Sequence, residues 1–90
     1  MKMERVTEKQ LQMKVDSINQ VTGSPAAPYA DGKAQIGCFH VSHAYGGVSL
    51  HRMSNEAGGV HNVFGQGHGP KRELMESMRA YLLGYDASNS

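Results

Sequence analysis

The chain has 90 residues, a formal net charge of +1 and a single cysteine. A chain this short buries only a small core, so we expect one domain over residues 1–90 that shares apolar surface with further copies as a homo-oligomer, a dimer or larger. The near-zero charge argues against a general DNA or RNA coat or a membrane-surface protein. No apolar run approaches the roughly 20 residues that span a bilayer. The lone thiol predicts no disulfide framework and favours a reducing cytoplasm.

The first predicted element is an amphipathic helix over residues 4–22. Its apolar residues recur at helical spacing and form one stripe, while polar residues, Asn19 among them, fall around it. Gly23 follows as a C-terminal stop, because glycine adopts the left-handed conformation that ends helices. Two prolines then predict a short extended link. The stripe consists of Leu11, Val15, Ile18 and Thr22.

A three-stranded antiparallel meander is predicted between residues 34 and 64. Each strand is rich in residues that favour β-structure, and glycine-containing breaks separate the strands. Gly46 and Gly47 permit positive backbone angles at the first reversal, and residues 55–59 form the second. The predicted strands are residues 34–43, 48–54 and 60–64.

A second helix is predicted over residues 70–84. Pro70 suits the first helical position, where a missing amide hydrogen does no harm, and Gly84 is expected to end the helix. Residues 86–90 are expected to be a frayed tail. The order helix, meander, helix predicts a two-layer α+β fold, because two helices can cover the one apolar face of a three-stranded sheet.

The segment before the second helix predicts an anion site. A glycine-rich loop leads into Lys71 and Arg72 at the helix start, where partial positive charge and free amides attract phosphates. Two cations are unfavourable there unless an anion offsets them, which favours a ligand. The alternative is a solvated turn in which Glu73 supplies the counter-charge. The loop matches neither a phosphate-binding Walker loop nor a dinucleotide fingerprint.

Five histidines raise the question of a metal site or a catalytic site. Carboxylate and thiol ligands near them are few, so we expect no metal and no cofactor. His40-Val41-Ser42 resembles half of a two-histidine phosphoesterase signature, but no other histidine has a hydroxyl residue two positions on. Catalytic residues are therefore not predicted. The histidines are His40, His43, His51, His61 and His68.

Several short motifs together resemble one family of small phage proteins, the first type of Thoeris anti-defence protein. The resemblance runs from about Leu11 to Gly84. It implies a protein that binds and hides the cyclic ADP-ribose signal made by a bacterial TIR-domain immune enzyme, without cleaving it. The motifs are Ala44-Tyr45-Gly46-Gly47, Leu50-His51-Arg52-Met53, Asn55-Glu56-Ala57-Gly58-Gly59-Val60, Pro70-Lys71-Arg72-Glu73-Leu74, Thr22-Gly23-Ser24-Pro25 and Pro28-Tyr29.

The resemblance also implies the binding residues. Tyr45 and Asn55 would form a cyclic ADP-ribose pocket at a subunit interface, and Arg72 would bind phosphate. Their chemistry fits, because tyrosine stacks on adenine, asparagine both donates and accepts hydrogen bonds, and arginine pairs bidentately with phosphate. The remaining candidate ligand-binding residues are Lys71, Gly46, Gly47 and His51.

Some members of that family form a trimer of dimers with a second site for cyclic di- or trinucleotides. Members often carry an arginine soon after the Pro-Tyr pair, where this chain has Lys33. The expected setting is the cytoplasm of the infected bacterial host, with no contact to DNA, RNA or membrane. Two other functions stay open: a phosphodiesterase that degrades a cyclic nucleotide with His40 and another histidine, and a small phage accessory protein that binds a host protein.

Overall fold

The first helix begins at a capping box. In the computed structural model, which describes residues 5–65 and 67–88 without the side chains of 86–88, α1 spans Glu8–Thr22. The Thr7 hydroxyl accepts from the Gln10 amide at 3.1 Å, and the Thr7 amide donates to the Gln10 side chain at 2.9 Å. These bonds satisfy amides that the helix leaves free, so α1 begins later than the predicted residue 4, which lies outside the described residues. Gly23 ends the helix with φ of 69°, as predicted.

A short hairpin follows α1. Strands β1 (Tyr29–Ala30) and β2 (Lys33–Ala34) pair antiparallel across a turn at Asp31-Gly32. The predicted strand over residues 34–43 was therefore wrong in its first half. A turn at Gly37, where φ is 91°, interrupts the extended chain, because that angle is open to glycine and incompatible with a strand.

The three-stranded antiparallel meander is confirmed. Its strands, in the order β3-β4-β5, are Phe39–Ala44, Gly47–Met53 and Val60–Asn62. Val41 lies opposite Leu50 on β4, and Arg52 lies opposite His61 on β5. The third strand ends before the predicted residue 64, because the chain turns over residues 63–65, with φ of 68° at Gly65.

The second helix is longer than predicted. Helix α2 spans Lys71–Ser88 and continues through Gly84. A glycine inside a helix costs about 1 kcal/mol relative to alanine but ends the helix only when it turns left-handed. Gly84 is absent from the positive-φ residues. The predicted stop was wrong, and so was the frayed tail for residues 86–88, which are helical; residues 89–90 lie outside the described part.

Both helices pack against one face of the three-stranded sheet. Phe39, Val48 and Leu50 form the sheet side of this core. The described residues therefore form an α+β fold of two helices and two antiparallel sheets. No helix in residues 5–65 and 67–88 combines the length and the apolar character needed to cross a bilayer. The helix side consists of Leu11, Val15, Ile18, Leu74, Met75 and Met78.

Asn19 connects α1 to the edge of the sheet. The sequence pattern put it among the polar residues around the stripe, yet it is buried in the structure. Its amide oxygen accepts from the Phe39 N–H at 2.8 Å, and its Nδ2 donates to the Phe39 carbonyl at 3.0 Å. Both outward backbone groups at the start of β3 are thus satisfied by one side chain. This contact fixes how α1 lies along the sheet, and with it the site at the other end of α1.

Candidate functional site

An open cleft of about 650 Å³ lies where the start of α2 meets the start of α1 and the β3–β4 turn. Its volume falls within the range of small-molecule sites. Backbone from the glycines of the turn forms one wall, and charged side chains from both helix starts form the others. The residues that matter for its chemistry are Arg5, Glu8, His43, Gly47, Lys71 and Arg72.

Close backbone contact positions α2 at this cleft. The Val48 N–H donates to the Gly69 carbonyl at 2.8 Å, and the Gly69 N–H donates to the Val48 carbonyl at 3.0 Å. A Cβ at Gly47 would lie only 2.8 Å from the Gly69 nitrogen, so a side chain at Gly47 would push the two segments apart. Because Gly47 has no side chain, the N-terminus of α2 can lie against the β3–β4 turn, where the two hydrogen bonds hold it.

The electrostatics of the cleft favour an anion. Lys71 and Arg72 occupy the first turn of α2, whose initial amides have no acceptor within the helix. Arg5 adds a third cation from the segment before α1, and Glu8 is the carboxylate in the lining. Among the residues that the structure describes, three cationic side chains and one carboxylate line the cleft, before His43 is counted. This excess makes the cleft complementary to a ligand with more than one negative charge.

Glu8 already pairs with two basic groups of the cleft. The His43 Nε2 lies 2.9 and 3.0 Å from the two Glu8 oxygens, and the Lys71 Nζ lies 3.4 Å from one of them. The hydrogen bond from His43 lowers the pKa of the Glu8 carboxyl, and Lys71 lowers it further. A carboxyl with a lowered pKa stays ionised throughout the neutral range. Glu8 therefore offsets part of the positive charge that an incoming phosphate would meet.

Glu8→Gln is expected to tighten the binding of pyrophosphate several-fold. The substitution removes a negative charge that competes for His43 and Lys71, while the exposed ion pairs it breaks contribute little to stability. Calorimetric titration at neutral pH and low salt measures the change, and Glu76→Gln, an exposed site on α2, is the control for net charge. Equal affinities for Glu8→Gln and the unsubstituted chain would mean that Glu8 does not oppose the ligand.

Tyr45 occupies a strained and fully exposed position. It forms the two-residue β3–β4 turn with Gly46, and both have positive φ, 54° for Tyr45 and 74° for Gly46. The prediction of positive angles at Gly46 and Gly47 was therefore displaced by one residue, because Gly47 begins β4. Turns of this kind favour asparagine, aspartate or glycine over a bulky residue. The Tyr45 side chain is 98% exposed, so burial does not explain its presence.

Asn55 lies at the other end of β4. Its side-chain oxygen accepts from the backbone N–H groups of Ala57 at 3.0 Å and Gly59 at 2.9 Å, which organises the β4–β5 loop. The seven residues of β4 separate it from Tyr45 by roughly 20 Å at the rise of an extended chain. Within one subunit these two side chains cannot line the same pocket.

His51 lies in a row of rings on the sheet face opposite the helices. It sits directly across from His40 on β3, with ring centroids 5.9 Å apart. His68 lies 5.7 Å from His51 on the other side, and the Tyr45 ring lies 6.0 Å beyond His68. Burial lowers the pKa of both His40 and His51, and the neighbouring histidines lower that of His51 further. These two imidazoles are therefore neutral near pH 7.

The structure thus brings together only part of the predicted set. Gly46, Gly47, Lys71 and Arg72 line the cleft, Tyr45 flanks it, Asn55 lies far from it, and His51 belongs to the ring row. Sequence reasoning missed the other three ionisable residues of the lining, Arg5, Glu8 and His43, because they come from around the start of the chain's first helix and from β3 and share no motif. Among the described residues there is no group of three metal-ligating side chains arranged to hold a metal ion.

The chain was compared with protein-family models, curated proteins and solved structures, and none of them matches it.

Proposed function

We propose that the protein is a phage anti-defence sponge that binds cyclic ADP-ribose isomers, glycocyclic ADP-ribose in particular, and holds them without cleavage. Such a ligand combines a diphosphate with adenine and two riboses. A protein of this kind needs a cationic site for the phosphates and a flat ring for the base. It acts in the host cytoplasm by keeping the signal from its effector.

Tyr45 is the observation that carries this proposal. A bulky residue at positive φ is unfavourable in the turn, and a fully exposed ring contributes nothing to the core. Strain of this kind is retained where the side chain serves a ligand. In the chain Tyr45 also stands between Ala44 and Gly46, which line the cationic cleft, so a base platform and a phosphate site lie close together, as a nucleotide needs.

The cleft supplies the phosphate part of the proposal. Lys71 and Arg72 stand at the start of α2, where helix amides and side-chain charges act on the same anion. An arginine donates two parallel hydrogen bonds to one phosphate group, and a lysine adds a point charge. A diphosphate carries enough charge to offset the excess of cations in this cleft.

A second subunit would complete the pocket. Tyr45 and Asn55 lie at opposite ends of β4, so they can contact one ligand only if Asn55 comes from a partner chain. This requirement agrees with the interface site that the resemblance implies, and it makes the proposed sponge a homo-oligomer, a dimer or a trimer of dimers. A second site for cyclic di- or trinucleotides belongs to the same proposal, with exposed Lys33 as its basic residue in the β1–β2 hairpin.

Tyr45→Asn is expected to weaken the binding of glycocyclic ADP-ribose by about tenfold or more, since stacking on an aromatic side chain contributes about 1–3 kcal/mol per base. The melting temperature should stay equal or rise, because asparagine suits a turn position with positive φ better than tyrosine does. Tyr45→Phe is the matched control, since it keeps the ring. Titration calorimetry measures the affinity and thermal denaturation measures the melting temperature. Unchanged affinity of Tyr45→Asn would show that Tyr45 does not contact the ligand.

The phosphodiesterase alternative is favoured by one observation, the position of His51 directly opposite His40. General acid and base chemistry needs two such groups. Against it, the Nε2 atom of His40 is enclosed and has no hydrogen-bond partner within residues 5–65 and 67–88, so it does not face a ligand in this arrangement. An enzyme would return a changed nucleotide after binding, whereas a sponge returns its ligand. The third alternative, a protein that binds a host protein, predicts no thermal shift with any nucleotide.

A further inference from the structure

The sheet face opposite the helices carries a continuous row of four aromatic rings. In order from the β3–β4 turn, these are Tyr45, His68, His51 and His40, and neighbouring centroids are 5.7 to 6.0 Å apart. The row draws on two separate parts of the chain: the β3–β4 hairpin with its turn, and the loop before α2. Nothing in the cleft chemistry uses the three histidines.

The row is held in place by a hydrogen bond, and one of its central rings, His51, disfavours a proton. The Ser42 hydroxyl and the His68 Nε2 share a hydrogen bond of 3.1 Å, which fixes the His68 ring beside β3. The pKa of His51 is lowered by burial and by the histidines around it, so a proton is disfavoured there. His40 closes the inner end, where its Nε2 atom is enclosed. His40 and His51 therefore contribute neutral, polarisable rings rather than cations.

The angles between the rings create notches rather than a flat stack. The planes of His68 and His51 meet at 69°, and those of Tyr45 and His68 meet at 69°. A planar ligand stacked on one ring therefore meets the edge of the next. An imidazole edge offers a nitrogen donor or acceptor, so the same notch gives both stacking and hydrogen bonding. Nucleobases combine a flat face with a polar edge, and proteins bind them with these ring types.

We propose that the ring row formed by Tyr45, His68, His51 and His40 is a nucleobase-binding strip, selective for a purine over a sugar phosphate. The inference goes beyond the proposed function, because it requires only a base and no cyclic ADP-ribose. Tyr45 joins the strip to the cleft, so a nucleotide could place its phosphates by Lys71 and its base against His68 and His51.

The five histidine side chains provide the test, since each gives a separate NMR signal from its ring Cε1–H. Adenosine and AMP are expected to shift the signals of His51 and His68. The signal of His61 should move much less, because His61 pairs with Arg52 and therefore points to the opposite sheet face, although it is close enough to His51 to affect its pKa. Ribose 5-phosphate, which lacks a base, should leave His51 and His68 unshifted. Signals of His51 and His68 that adenosine does not move would overturn the proposal.

A variant pair gives the second measurement. His51→Ala is expected to weaken AMP binding about fivefold or more, by the size of base stacking on one ring, while His61→Ala leaves it unchanged. If both variants remain folded, equal AMP affinity in the two would overturn the proposed strip. The NMR experiment uses the unsubstituted chain, so it decides the matter if His51→Ala does not fold. If the protein does not bind glycocyclic ADP-ribose but adenosine still shifts the His51 signal, the sponge proposal is rejected and the nucleobase-binding strip is supported.

Discussion

The double substitution Lys71→Gln and Arg72→Gln is expected to remove nucleotide binding while leaving the fold intact. Hydrogen bonds to charged groups contribute about 1.5–3 kcal/mol each, so losing two should weaken binding at least about a hundredfold. The stability should stay equal or rise slightly, because cations at a helix N-terminus oppose its positive end by about 0.3–1 kcal/mol each. A loss of binding without a loss of stability is the signature of residues kept for a ligand.

Arg79→Gln is the matched control for this pair. Arg79 is an exposed cation on the same helix, two turns beyond the cleft. Titration calorimetry with glycocyclic ADP-ribose and thermal denaturation should be run on both proteins at the same salt concentration, since screening changes charge effects. If Arg79→Gln weakened binding as much as the double variant, the effect would be general attraction and the cleft would not be the site. Lower stability of the double variant would indicate that Lys71 and Arg72 stabilise the fold.

Asn19→Ala is expected to be the most destabilising single change outside the apolar core. It leaves the N–H and the carbonyl of Phe39 without the partners that Asn19 supplies at 2.8 and 3.0 Å. A buried polar group without a partner costs about 1–3 kcal/mol, so the free energy of unfolding should fall by about 3 kcal/mol. For a domain of this size the melting temperature should drop by about 10 °C or more.

Gln20→Ala provides the comparison, because Gln20 is the exposed neighbour of Asn19 on α1. Its melting temperature should stay close to that of the unsubstituted chain. Asn19→Asp should be at least as destabilising as Asn19→Ala, since it buries a carboxylate against the Phe39 carbonyl. Thermal denaturation followed by circular dichroism measures all three. A melting temperature of Asn19→Ala within a degree or two of Gln20→Ala would contradict the anchoring role of Asn19.

The sequence predicted the fold well where one local pattern decides the structure. The apolar stripe of α1, its stop at Gly23 and the meander all follow from periodicity and glycine placement. The prediction failed where the structure is decided by a contact between residues that are far apart in the sequence. Asn19 is polar and lies next to Ile18 of the stripe, but only the edge of β3 explains why it is buried. Gly84 has the residue type of a helix stop, and nothing in its neighbourhood shows that the helix continues.

In the candidate site, too, some residues could be predicted from the sequence and others could not. Lys71 and Arg72 were predictable, because a glycine loop, a proline and a helix start are adjacent in the chain. Glu8 and His43 were not, since they lie 35 residues apart and meet only through the packing of α1 on β3. The separation of Asn55 from Tyr45, by contrast, followed from the strand predicted over residues 48–54, because Tyr45 precedes that strand and Asn55 follows it, as they do with β4.

The most direct test of the sponge is a calorimetric titration of the unsubstituted protein with glycocyclic ADP-ribose, followed by heat denaturation and chromatography of the released ligand. We expect tight, saturable binding and quantitative recovery of the unchanged nucleotide. A released ligand that had been cleaved would contradict sequestration and favour an enzyme that uses His40, and the absence of binding heat together with no thermal shift would contradict a nucleotide site.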